Sequence, residues 1–199
     1  MRKAALILAG MVATVVGAPA AYANVICVPG NCVDASTGKI APKASFIVTP
    51  MNVDSKYRGP ISASLGNTVM SKGAFKDTFN FLLPTNGVGG GSVTTVAASF
   101  KGATDLDFTS VLINGVSATI FKTARGIVEV AFASDIPLSA GMNLISVSGL
   151  SRGNGSYGGS ISFTPSVPET ATWGMMILGF MGMGATMRYR RKSTKVAFA

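Results

Sequence analysis

Few residues in this chain are able to do acid–base, nucleophilic or metal chemistry. Histidine is absent from all 199 positions. That excludes, within the chain, a Ser-His-Asp triad, a Cys-His pair, a histidine-ligated zinc and an imidazole proton shuttle. Two cysteines, Cys27 and Cys32, are too few for a paired CxxC zinc site. Between positions 24 and 167 the acids are one glutamate, Glu129, and six aspartates. A glycosidase would need two of them about 5–9.5 Å apart across a cleft, and no acidic motif marks such a pair. Asp105-x-Asp107, just before Phe108, has a spacing open to calcium, but a turn cap with one solvent-facing charge is the expected role. Glu129 lies between Val128 and Val130, so alternation predicts an exposed strand residue. Ser36-x-x-Lys39 lacks the companion motifs of the penicillin-binding families. As a P-loop it fails too, with Val33 in place of the first glycine and Ile40 after the lysine. Gly87-Val88-Gly89-Gly90-Gly91 has no following Gly-Lys and reads as a flexible strand connection. No catalytic residue, metal site or cofactor is expected.

The elements that would position these residues are strands. Hydrophobic residues make up 48% of the chain and charged residues 13%, which argues for a folded core. Short β-rich runs separated by turn residues cover 44–49, 74–83, 92–100, 106–113, 116–122, 127–133, 142–148 and 157–163. Asn114-Gly115 separates two of them and predicts a type I′ hairpin. Ser139 to Gly141 and Ser151 to Gly155 read as loops. Eight or more strands at this spacing predict an all-β fold, an antiparallel, jelly-roll-like β-sandwich over residues 24–167. Phe75, Asp77, Phe79, Phe81 and Leu83 share one strand face, so Asp77 is expected to accept backbone N–H bonds among apolar neighbours. Cys27 and Cys32 flank Val28-Pro29-Gly30-Asn31, where Pro-Gly favours a tight turn and a local disulfide.

The two ends have a different character. Net charge is +9, of which residues 1–23 carry +2 and residues 168–199 carry +4. The middle is left at +3 with scattered charges, so no basic stripe for nucleic acid is expected. Arg2 and Lys3, an uncharged run from Ala4 to Val16, and Ala21-Tyr22-Ala23 form the pattern of a signal peptide. Signal peptidase would cleave after Ala23 and leave Asn24 first, placing both cysteines in an oxidising compartment. Near the other end, residues 171–187 are uncharged, with Trp173 at one side and Arg188, Arg190, Arg191 and Lys192 at the other. A helix of that length reaches about 25 Å against a hydrocarbon core of about 30 Å, so a transmembrane helix, N-out and C-in, is expected there.

Pro168-Glu169-Thr170-Ala171-Thr172-Trp173-Gly174, an apolar helix and an arginine cluster together resemble the PEP-CTERM sorting signal in its PEPxxWA variant. Pro168, Glu169 and Trp173 match the pattern. Thr170 replaces the second proline and Gly174 the alanine. Phe75-Lys76-Asp77-Thr78-Phe79 is similar to the Phe-x-Asp-x-Phe motif after which one group of these proteins is named. The resemblance implies an exported bacterial envelope or matrix protein, processed by an exosortase-like enzyme and displayed at the cell surface or outside it. It also implies a non-enzymatic role linked to exopolysaccharide or biofilm. A carbohydrate-binding module is the alternative, with Tyr57, Tyr157 and some phenylalanines as the available aromatics. A carboxylate-based hydrolase is the third reading.

Overall fold

The computed structural model describes residues 24–51, 53–123, 125–166 and 170–190. The signal-peptide residues Ala21 and Ala23, and Pro168, Glu169 and Arg191 of the tail motif, lie outside them, as does the side chain of Arg190. Among the described residues there are twelve strands: β1 (Val25–Val28), β2 (Asn31–Asp34), β3 (Ser45–Thr49), β4 (Ile61–Val69), β5 (Lys72–Leu83), β6 (Gly87–Val96), β7 (Leu106–Ile113), β8 (Val116–Ser117), β9 (Thr119–Lys122), β10 (Val128–Leu138), β11 (Gly141–Arg152) and β12 (Gly155–Pro165). One helix, α1, spans Thr170–Arg190.

The strands form two six-stranded sheets. Sheet A runs β2-β1-β5-β11-β7-β8 and sheet B runs β3-β4-β12-β6-β10-β9. Every pairing is antiparallel except the short parallel contact of β1 with β5. Successive long strands change sheets, from β4 to β5 to β6 to β7 and again from β10 to β11 to β12. That alternation is the connectivity of a jelly roll. The core lies between the sheets. β5 sends Phe75, Asp77, Phe79, Phe81 and Leu83 inward, as period-2 alternation requires. Phe46 packs on Phe79 with ring centres 5.4 Å apart, and Phe75 stacks on Tyr157 at 5.8 Å. Cys27 and Cys32 are joined across the β1–β2 hairpin, so their disulfide closes a local loop. Asn114 and Gly115 take φ of 48° and 84°, the left-handed pair a type I′ turn needs.

Three expectations need correction. Strand β4 had no counterpart among the predicted runs. The glycine-rich stretch from Gly87 to Gly91 is the first half of β6 and not a flexible connection. It is glycine-rich because β12 and β10 lie too close for side chains, with a Cβ on Gly90 falling 2.7 Å from the Ala133 carbonyl oxygen. A Cβ on Gly91 would sit 2.2 Å from the Ser160 carbonyl oxygen. Finally, α1 forms, but among the described residues no helix is long and apolar enough to cross a membrane. Gly174, Gly179, Gly182, Gly184, Thr172 and Thr186 dilute the apolar run. The helix expected to span a membrane at 171–187 forms as α1 but falls short of a membrane span.

Candidate functional site

The residues singled out for chemistry fall into separate structural roles. Asp77 is fully buried. Its Oδ1 accepts the Val25 N–H at 3.0 Å, and its Oδ2 accepts from Asn67 Nδ2 at 2.8 Å and from the Tyr157 hydroxyl at 2.5 Å. Burial pushes the carboxyl above its ordinary range, and the three hydrogen bonds pull against that. Burial, and then the charge of Asp77, push the Tyr157 phenol well above its usual value. Asp77 is therefore a latch tying β1, β4 and β12 to β5. Phe75 and Phe79 on either side of it are buried and face no ligand. Tyr157, named above as an available aromatic, is buried in this latch. Tyr57 is half-buried, and its hydroxyl donates to the Pro60 carbonyl at 3.0 Å.

Asp105, Asp107 and Glu129 meet at one end of the sandwich, joined by two cations. Arg152 reaches Asp105 with Nε at 2.9 Å and Asp107 with Nη2 at 2.5 Å. Lys122 Nζ lies 2.7 Å from Glu129 and 3.8 Å from Asp107. Asp105 also caps a turn by accepting the Lys101 N–H at 2.7 Å. A guanidinium thus sits between the two aspartates where a calcium ion was considered. Among the described residues no cluster of three or more acidic, Cys or His side chains is arranged to hold a metal. Glu129 is not exposed. It is fully buried, and its Oε2 accepts the Phe108 N–H at 2.7 Å. β10 has the expected two-residue period, with Glu129 on its inner face and not its outer one. Val128 and Val130 point outward, and Lys122 on the neighbouring strand neutralises Glu129 inside. Ser36 is spent in a turn, its N–H and hydroxyl both donating to Asp34. Hydrogen bonds from Ser36 and Thr37 hold the Asp34 carboxyl below its usual range.

No motif in the sequence marks an open groove built by the fold. It lies on the outer face of sheet B. The register of β10 against β6 shifts between Ala133 and Ile136, a bulge in which Asp135 takes φ 55°. The bulge lifts Ser134 and Asp135 beside the bare backbone of Gly89, Gly90 and Gly91. Together with Val88, Phe132, Ser162 and Thr164 they line a groove of about 320 Å³. Phe132 is 49% exposed, so its ring is open to solvent. Beyond the groove, strand alternation places Ser62 and Ser64 of β4, Ser160 of β12, and Ser92 and Thr94 of β6 on the same face. The surface combines an aromatic ring, one carboxylate and a field of neutral hydroxyls. Such a set can stack on an apolar ring face and exchange hydrogen bonds with a polyol.

No protein-family model and no characterised protein matches the sequence. Parts of several solved structures are similar, among them the following three. The GH26-CBM35 β-(1,4)-mannanase of Podospora anserina is 23% identical, over 64% of this chain and 27% of that one, with a TM-score of 0.35. A family 35 carbohydrate binding module from Clostridium thermocellum is 14% identical, over 63% of this chain and 95% of the module, with a TM-score of 0.28. The catalytic domain of a GH87 α-1,3-glucanase is 14% identical, over 53% and 22%, with a TM-score of 0.27. The matched region thus spans about a quarter of the two enzyme chains. Likenesses of this size assign no residue and no activity.

Proposed function

We propose that this chain is an exported binding module that holds a segment of neutral polysaccharide in the sheet B groove. The observation that carries the reading is the open Phe132 ring beside Asp135 over a glycine floor. The ring supplies a stacking surface, Asp135 accepts from sugar hydroxyls, and the outward-facing Gly90 puts no side chain on the groove floor. The test is titration of the purified full chain with neutral mannan, β-glucan and α-glucan oligosaccharides by calorimetry. Saturable binding is expected for at least one. Phe132→Ala should weaken it about tenfold or more while leaving the thermal midpoint nearly unchanged. Absence of binding across the panel, or equal affinity in the variant, removes the reading.

A second observation concerns where the module works. A disulfide between Cys27 and Cys32, just after a leader-like segment, suits an oxidising compartment. In this reading signal peptidase releases Asn24 as the first residue. The Pro168-Glu169…Trp173 tail with its arginines then directs processing by an exosortase-like enzyme, which leaves the module at the cell surface or outside it. Fractionating cells that express wild type beside a Pro168, Glu169 and Trp173 triple alanine variant tests this. The variant should stay in the unprocessed form, and an unchanged mass and location would refute the sorting step.

A further inference from the structure

A second depression, of about 230 Å³, lies on the outer face of sheet A and is separate from the Phe132 groove. It is lined by Lys76, Thr78, Leu112, Gly115, Leu144 and Ser146. Lys76 and Thr78 are the two spacer residues of Phe75-Lys76-Asp77-Thr78-Phe79. Alternation buries the named residues of that motif and turns its spacers outward. Across the sheet Thr78 stands opposite Ser146, and Ser146 stands opposite Leu112. The Asn114-Gly115 turn forms one wall. It is pinned by Asn114, whose Oδ1 accepts the Leu144 N–H at 2.8 Å and whose Nδ2 donates to Asn143 at 2.6 Å. Two features of this wall and floor point to a ligand. Ser146 is only 6% exposed, yet its hydroxyl has no hydrogen-bond partner. A buried hydroxyl left unmatched is costly and calls for explanation. Lys76 takes part in none of the ion pairs among the described residues, so its ammonium is available.

We infer that this depression binds a sugar residue bearing one anionic substituent, a carboxylate or a sulfate. The anionic oxygen meets the Lys76 ammonium. Ring hydroxyls meet Ser146 and Thr78, which both donate and accept. The apolar edge of the ring rests on Leu112 and Leu144. One cation with two hydroxyls suits a single negative charge on a polyol better than a phosphate dianion, which gathers several donors. The site stands without the Phe132 groove, and either can fail alone.

The full chain would be titrated with a uronate oligosaccharide, a sulfated oligosaccharide, their neutral counterpart and inorganic sulfate, following the backbone amides of Thr78 and Ser146 by NMR. Saturable shifts are expected with at least one anionic sugar, together with weakening by added salt. Lys76→Gln should lower that affinity about tenfold, and Ser146→Val should lower it severalfold. Any neutral-sugar binding elsewhere should be unaffected by Lys76→Gln. Thermal midpoints near wild type show that both variants fold. The inference is overturned if neither anionic sugar binds or if affinity is unchanged in both variants. It is also overturned if inorganic sulfate binds as tightly as the sugar, which would leave a bare anion site.

Discussion

Asp77→Ala will destabilise the fold by about 3–5 kcal/mol, a loss few single substitutions reach. The carboxylate receives three donors in the interior: the Val25 N–H, the Asn67 amide and the Tyr157 hydroxyl. Alanine orphans all three, at about 1–3 kcal/mol for each buried group before relaxation. β1 meets β5 at only two residue pairs, Ile26 with Thr78 and Cys27 with Phe79, so the Val25 bond is much of what seats it. Asp77→Asn keeps one oxygen for Val25 but turns a donor toward Asn67 and Tyr157, so roughly half the loss is expected. Urea unfolding with a shared slope would measure both. The pH dependence has a definite sign. Burial raises the folded-state pKa of Asp77 above the ordinary 3.8, so the folded chain binds this proton more tightly than the unfolded chain. Its stabilising contribution is complete below 3.8 and declines as pH rises through the raised value. Asp34, held below 3.8, works the other way: its contribution is present above 3.8 and is lost as pH falls through the lowered value. Subtracting the Asp77→Asn profile from wild type isolates the Asp77 part, and parallel profiles would mean that folding does not raise its pKa.

The latch was legible from sequence because one acid stood on an otherwise apolar strand face, and such a residue must find donors. That it finds two side chains besides a backbone N–H depends on β4 and β12, which no local pattern brings together. β7 was read to its ends because alternation is strong there and Asn114-Gly115 marks its turn. β4 was missed because Ile61-Ser62-Ala63-Ser64-Leu65 hides its period behind small residues. Ser62 and Ser64 lie on the outer face of sheet B, and Ala63 packs against the core between them. Gly87 to Gly91 misled for a related reason. The crowding that demands glycine comes from β10 and β12, about forty-five and seventy residues further along. The sheet B groove shares this origin, since β6, β10 and β12 meet only in the fold. Its one trace in the sequence is Ser134-Asp135, which breaks the alternation of β10.

Glu129 offers the sharper test, because it sits where local pattern and tertiary structure disagree. Glu129→Ala should cost about 3–5 kcal/mol, since it strands the buried Phe108 N–H and opens space beneath Lys122. Lys122 itself is 44% exposed and can turn to water once its partner is gone. The converse change is not symmetric. In Lys122→Met the Glu129 carboxylate stays fully buried, with the Phe108 N–H at 2.7 Å as its remaining donor. That variant should lose about 2–3 kcal/mol, far more than removal of a surface lysine costs. Glu129→Gln keeps the Phe108 bond and should lose the least. Because the charge and its neutraliser act together, the double variant Glu129→Ala/Lys122→Met should recover about 1–2 kcal/mol relative to additive losses. A double-mutant cycle by urea unfolding reads this directly. Strictly additive losses would mean that the buried carboxylate does not depend on Lys122. The ion-pair chain from Glu129 through Lys122, Asp107 and Arg152 to Asp105 would then be a set of separate contacts, and not the clasp that joins β7, β9, β10 and β11 at this end of the sandwich.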